Sequence, residues 1–216
     1  MPIAITEWLI THQEAIVLAF SNANQLVSVA AEWRTPRFNP VTNTKEPPMA
    51  IKTVEELFIH ELSDIYSAEK QLTKSLPRLA RAATEPKLKA AFETHLEETQ
   101  GQIERLDQVV EVLGIKLKRI KCAAMEGLVE ESREVIEEIE VGPVRDAALI
   151  GGAQKVEHYE IASYGTIAAM AKQLGYADAL PLLLATLEEE KATDEKLTLL
   201  AEQGGNQKAA KTSKAA

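Results

Sequence analysis

Apolar residues recur every three or four positions along most of this chain, the period of an amphipathic helix rather than of a strand. Between Ile5 and about Trp33, the residues Ile5, Trp8, Ala15, Leu18, Ala19, Leu26 and Val29 share one broad stripe, with Leu9 at its edge. Thr35-Pro36-Arg37-Phe38-Asn39-Pro40 and then Pro47-Pro48 break the pattern and mark a linker. The pattern resumes at Thr53, which stands three residues before Glu56 in the spacing of a capping box. Leu62, Ile65, Leu72, Leu76 and Leu79 predict a helix to about Ala83, with Pro77 placed to kink it. Thr84-Glu85-Pro86 restarts the chain, and Leu88, Phe92, Leu96, Ile103, Leu106 and Val110 carry a second helix to Gly114. A long connection follows, with a short helix of its own from about Met125 to Ile139. Gly142-Pro143 then opens a third long helix, Val144 to Leu174, and a fourth runs from about Ala177 to Gln203, ending at Gly204-Gly205.

This order gives two helical hairpins joined by one long crossover. A plain up-down bundle has no use for so long a connection, whereas a ferritin-like four-helix bundle requires one. The expected fold is therefore all-α: a ferritin-like bundle over residues 51–204, preceded by an N-terminal helical extension and Pro-rich linker over residues 1–50. Residues 205–216 carry three lysines and no acidic residue and are expected to form a disordered Lys/Ala tail.

Composition narrows the function classes. Hydrophobic residues make up 45% of the 216 positions, enough for a sizeable core, while aromatics are only 5%, which favours helix over strand. A formal net charge of −9 argues against nucleic-acid binding by the main body, and three lysines leave only a weak case for DNA contact by the tail. The lone Cys122 excludes an intramolecular disulfide framework and fits a reducing cytosol. No stretch reaches the ~18–20 uninterrupted apolar residues of a membrane span. The apolar segment Ala15–Phe20 lacks the basic flank of a signal peptide, so a soluble, unprocessed, cytoplasmic chain is expected. The N-terminal helix is expected to dock on the body, a neighbouring subunit or a partner.

The chemistry sits where the apolar stripes are interrupted. On a helical projection Glu69 falls in the middle of the first stripe. Glu160 is surrounded by Leu149, Val156, Ser163 and Ile167, with Glu157 and Tyr164 on one flank. Glu190 and Asp194 lie in line with Leu183, Leu187 and Leu197. On the second helix His95, Thr99 and Gln102 face inward and Glu98 lies to one side. The hairpins also match at a spacing of 91 residues, which pairs Glu69 with Glu160, Glu98 with Glu189, Leu96 with Leu187 and Leu106 with Leu197 and suggests an internal duplication. A carboxylate facing a bundle core is costly without a compensating cation. No Lys or Arg shares these stripes, so a metal is the first compensating group to consider. Carboxylates with an occasional imidazole suit iron or manganese, whereas thiolates would favour zinc or iron–sulfur clusters. Glu69, Glu157, Glu160, Glu190 and Asp194 supply five of the about six ligands of a dinuclear centre, with Glu98 or His95 as the sixth. The competing reading is a set of acidic side chains that reach out towards solvent.

Five ordered blocks between residues 53 and 203 resemble the YciE/YciF-type ferritin-like stress proteins. They are Ala68-Glu69-Lys70-Gln71-Leu72-Thr73-Lys74-Ser75-Leu76-Pro77, His95-Leu96-Glu97-Glu98-Thr99, Lys121-Cys122-Ala123-Ala124-Met125-Glu126-Gly127-Leu128, Lys155-Val156-Glu157-His158-Tyr159-Glu160, and the run Glu188 to Leu197. The resemblance implies a ferritin-like bundle, a bacterial cytoplasmic location, dimerisation and a link to stress responses. The wider superfamily implies a dinuclear site, iron first and manganese or zinc next, with Glu-x-x-His on the second and fourth helices. This chain departs from that pattern: it has His95-x-x-Glu98 in reverse order, Glu157-x-x-Glu160, and Glu190-x-x-x-Asp194. Two function classes follow. One is a metal-binding protein that sequesters metal or consumes oxidant, with Tyr66, Tyr159 and Tyr164 as candidate electron donors. The other is a non-enzymatic dimerisation or interaction module with a degenerate site. A storage cage is a weaker third.

Overall fold

The computed structural model describes residues 50–212; the expected N-terminal helix, its linker and the last four residues lie outside that range. Six α-helices make up the described chain: α1 (Val54–Ala82), α2 (Pro86–Leu113), α3 (Ala123–Glu138), α4 (Pro143–Gln173), α5 (Leu180–Leu200) and α6 (Asn206–Thr212). No strand occurs among the described residues. The predicted start and stop signals act as expected. Thr53 Oγ1 accepts the Glu56 amide at 3.1 Å, and the Glu56 carboxylate accepts the Lys52 amide at 2.7 Å, so two otherwise unpaired N–H groups are satisfied at the head of α1. Pro86 and Pro143 occupy first-turn positions, where no intrahelical N–H is needed. Gly114 closes α2 at φ 62°, a left-handed conformation that a side chain would strain. Helix α1 continues through Pro77 to Ala82.

Helices α1 and α2 form one hairpin and α4 and α5 the other; α1 packs beside α4, and α2 beside α5. The two cross-hairpin pairs are antiparallel. Glu69 near the middle of α1 meets Tyr164 of α4, while Thr84, just past the end of α1, meets Asp146 at the start of α4. Such an arrangement requires the chain to traverse the bundle between α2 and α4, and residues 114–142 do so, with α3 lying against α1 and α4. The crossover is held by a polar row on α1 at four-residue spacing. Ser63 Oγ accepts the Lys118 amide at 2.9 Å, Ser67 Oγ accepts the Cys122 amide at 3.0 Å, and Gln71 Nε2 donates to the Cys122 carbonyl at 3.0 Å. Cys122 is fully buried and caps α3, its Sγ accepting the Met125 amide at 3.3 Å.

The core runs through the bundle as layers of Phe58, Leu62, Ile65, Leu72, Leu76, Leu88, Phe92, Leu106, Leu149, Ile167, Leu183 and Leu197. No helix among the described residues is long and apolar enough to cross a membrane. The C-terminal segment corrects one expectation. After α5 the chain makes a π-type turn over Ala201–Gly205 and continues as α6, where a disordered tail is expected from composition. Contact supplies the order that composition does not: α6 lies against α4, and Lys208 forms an ion pair with Glu85.

Candidate metal centre

Each of the four long helices sends a polar side chain into the middle of this apolar core. Glu69 comes from α1, His95 from α2, Glu157 and Glu160 from α4, and Glu190 from α5, and all five are buried. Helical period explains the delivery: Glu157 and Glu160 are three residues apart and emerge on one side of α4. The ligand atoms of His95, Glu157, Glu160 and Glu190 lie within 4.8 Å of one another. Glu69 adjoins them closely enough for its charge to act on both Glu160 and Glu190.

The oxygens of this cluster are largely without partners. Both carboxylate oxygens of Glu160 and of Glu190, one each of Glu69 and Glu157, and both ring nitrogens of His95 are buried with no hydrogen bond. Buried polar atoms are nearly always paired, and an unpaired one costs about 1–3 kcal/mol, more when charged. Burial, reinforced by neighbouring carboxylates, accordingly drives the carboxyls of Glu69, Glu157 and Glu160 well above the ordinary value near 4.5. Glu190 is also raised by burial, with His95 pulling the other way. Four carboxyls and one imidazole, with orphaned donor atoms converging in the core, make a donor set of the chemistry that a divalent cation takes.

The groups around the cluster fix its members. Tyr164, fully buried on α4, donates its hydroxyl to Glu69 Oε1 at 2.5 Å and leaves Oε2 unpartnered. Burial and the adjacent Glu69 push the Tyr164 phenol well above its usual range, so it remains a donor. His95 stands between two carboxylates, with Nδ1 3.5 Å from Glu98 and Nε2 3.3 Å from Glu157. Contact with His95 holds the Glu98 carboxyl below the usual range. Arg105 bridges α2 to α5 by donating to Thr186 Oγ1 at 2.7 Å and pairing with Glu189, which also accepts from Gln102. The charge of Arg105 works against the upward shift of Glu69. On the other side His95 and Glu157 border a small cavity of about 20 Å³ between Leu72, Phe92 and Val156.

Sequence reasoning singles out seven residues, which the structure arranges in three tiers. Four are mutually adjacent, Glu69 joins them through its charge and Tyr164, and Glu98 and Asp194 lie further out. Glu98 is partly exposed, but its Oε2 is buried 3.5 Å from His95 Nδ1, and its charge acts on Glu190. Asp194 sits at the seam of α4 and α5, accepting from Gln154 at 3.3 Å with His158 Nε2 also 3.3 Å away. Of the positions matched at the 91-residue spacing, Glu69 and Glu160 are both fully buried, as are Thr99 and Glu190. Arg105, Gln154 and Asp64 were not anticipated. Asp64 accepts from Tyr159 at 2.6 Å, and the Tyr159 hydroxyl lies 3.0 Å from Cys122 Sγ, which ties α1, α4 and the crossover together.

Residues 53–210 match a family described as a domain of unknown function, DUF892. Protein YciF of Escherichia coli K12 is 65% identical over 162 residues, covering 74% of this chain and 98% of that protein. The chain belongs to the YciF family. The crystal structure of the E. coli stress protein YciF superposes with a TM-score of 0.70 at 66% identity, covering 72% of this chain and 99% of that one. YcfI of Rhodopseudomonas palustris follows at TM-score 0.68 and 48% identity, with 71% and 98% covered. A Xanthomonas campestris protein at 21% identity and TM-score 0.58, with 74% and 98% covered, shares the fold.

Proposed function

We propose that the bundle is a metal-binding stress protein that holds a dinuclear carboxylate centre of iron or manganese and either sequesters the metal or consumes oxidant at it. The supporting observation is the set of buried, unpartnered carboxylate oxygens that converge from four helices. Glu69, Glu157, Glu160 and Glu190 would provide oxygen ligands, and His95 a nitrogen. His95 would bind through Nε2, which faces Glu157, while an Nδ1–H directed at Glu98 fixes the tautomer and makes Glu98 an orienting group. Asp194 would tune the charge at the rim, since it acts electrostatically on Glu157. When bound, such a centre supplies Lewis acidity and one-electron redox chemistry. The chain's own contributions are different. Tyr164 keeps its proton on the phenol and orients Glu69, Leu72, Phe92 and Leu187 exclude bulk water, and Arg105 offsets part of the acidic charge.

The relative described as a stress protein supports the stress-linked half of this reading. A cytoplasmic homodimer is the working form we infer, and light scattering separates it from a storage shell by size. Thermal unfolding with iron, manganese or a chelator tests the metal-binding half. Bound metal adds its binding free energy to folding, about 2.7 kcal/mol at a hundredfold excess over Kd, so melting rises with metal and falls with chelator. Melting that ignores all three would leave the interaction-module reading standing.

A further inference from the structure

Away from the metal cluster, a groove of about 590 Å³ opens between α1 and α3 at the start of α4. Arg78, Arg81, Arg133 and Arg145 all line it, four of the six arginines among the described residues of a chain whose net charge is −9. Arg133 is neutralised by Glu130 and Glu137. Arg145 donates Nε to the Ile139 carbonyl at 2.8 Å and has no carboxylate partner among the described residues. Arg78 and Arg81 have neither hydrogen bond nor ion pair there, and they stand one turn apart on the same side of α1. The floor between them is apolar: Leu79, Val129 and Ile136.

We propose that this groove binds a small organic oxyanion, with its acidic head on Arg78, Arg81 and Arg145 and its apolar body on Leu79, Val129 and Ile136. Guanidinium forks match phosphate, sulfonate and carboxylate oxygens and are weakly hydrated, so gathering three of them with no carboxylate partner among the described residues leaves an anion subsite. The volume lies within the ~300–1,000 Å³ of small-molecule sites. An extended polyanion is disfavoured because Glu130 and Glu137 stand in the same groove and the surrounding charge is acidic.

Fluorescence titration with 8-anilinonaphthalene-1-sulfonate, an apolar ring system bearing one acidic head, tests the site on the full chain. The wild type is expected to show one saturable site. Arg78→Ala/Arg81→Ala together should weaken it about tenfold or more, and each single variant about threefold. Lys89→Ala/Lys191→Ala removes two cations on α2 and α5 and should change affinity less than about twofold. Displacement of the probe by pyrophosphate supports a site that accepts the acidic head alone, and displacement by decanoate one that also needs the apolar body. Absence of saturable binding, equal weakening by both double variants, or failure of both competitors would overturn the proposal.

Discussion

Glu160 concentrates the physics of the site: a carboxyl with no exposure, no hydrogen bond on either oxygen, and three other acidic groups acting on it. In the metal-free protein it destabilises the fold, so its removal should have opposite effects on stability and on metal binding. Glu160→Gln is expected to raise the stability of the metal-free protein at pH 8 by about 1–3 kcal/mol while lowering metal affinity, as read by denaturant melts and by calorimetry with Mn(II). The pH dependence has a definite sign. The folded carboxyls of Glu69, Glu157 and Glu160 hold their protons more tightly than ordinary carboxyls near 4.5, so above that value the folded chain binds more protons than the unfolded one. Metal-free stability is therefore fully present below about 4.5 and is lost as pH rises through the raised folded values, while metal affinity rises over the same range because the cation displaces those protons. Chelated protein melted from pH 4 upward checks the first half; a melting point that climbs steadily from 4 to 8 would contradict it. Tyr164→Phe strands the other Glu69 oxygen and is expected to lower metal affinity about 10–100-fold, measured by the same calorimetry. Glu69, Glu157, Glu160 and Glu190 are legible in the sequence because an acid on an apolar stripe violates its own surroundings. Asp194 marks the limit of that method: helical period gives the side on which a residue emerges, not how deep it reaches. Tyr164 is harder still, since a tyrosine at a stripe edge looks the same whether its hydroxyl meets water or Glu69.

The elements are held by a few polar clamps between apolar surfaces. Asp146 is the clearest: buried at the head of α4, it accepts the amides of Thr84 at 2.8 Å and Glu85 at 2.9 Å together with the Thr84 hydroxyl, and so joins the turn between α1 and α2 to the opposite hairpin. Asp146→Ala leaves those donors unpaired and is expected to cost about 2–4 kcal/mol, seen as an earlier urea midpoint with metal stoichiometry unchanged. The helix limits near Thr53, Pro86, Gly114 and Pro143 were readable because caps, first-turn prolines and left-handed glycines act locally. The row Ser63, Ser67 and Gln71 was not, because its partners are backbone groups some fifty residues away. The same reason hid α6, whose short Lys/Ala sequence has little helical stability of its own and gains order from α4 and Glu85.

At the scale of the molecule, the bundle is two hairpins that differ in how much acid they deliver. The 91-residue match places Thr99 opposite Glu190 and Ile103 opposite Asp194, so the α4–α5 half carries more oxygen donors than the α1–α2 half. That asymmetry, and His95 in place of a further carboxylate, distinguishes the centre from one in which each hairpin contributes an equal ligand set. Hairpin order and crossover length were legible in the sequence because they follow from where the apolar period stops and restarts; which helices touch across the hairpins had to come from the fold. The central claim is that the convergent carboxylates hold metal, and elemental analysis of protein purified without chelator tests it most directly, comparing the wild type with Glu160→Ala and Glu190→Ala. The account predicts about two metal ions per chain in the wild type and loss of most of that content in each variant. Unchanged metal content in both variants, or a wild type that binds none when supplied with iron or manganese, would contradict it.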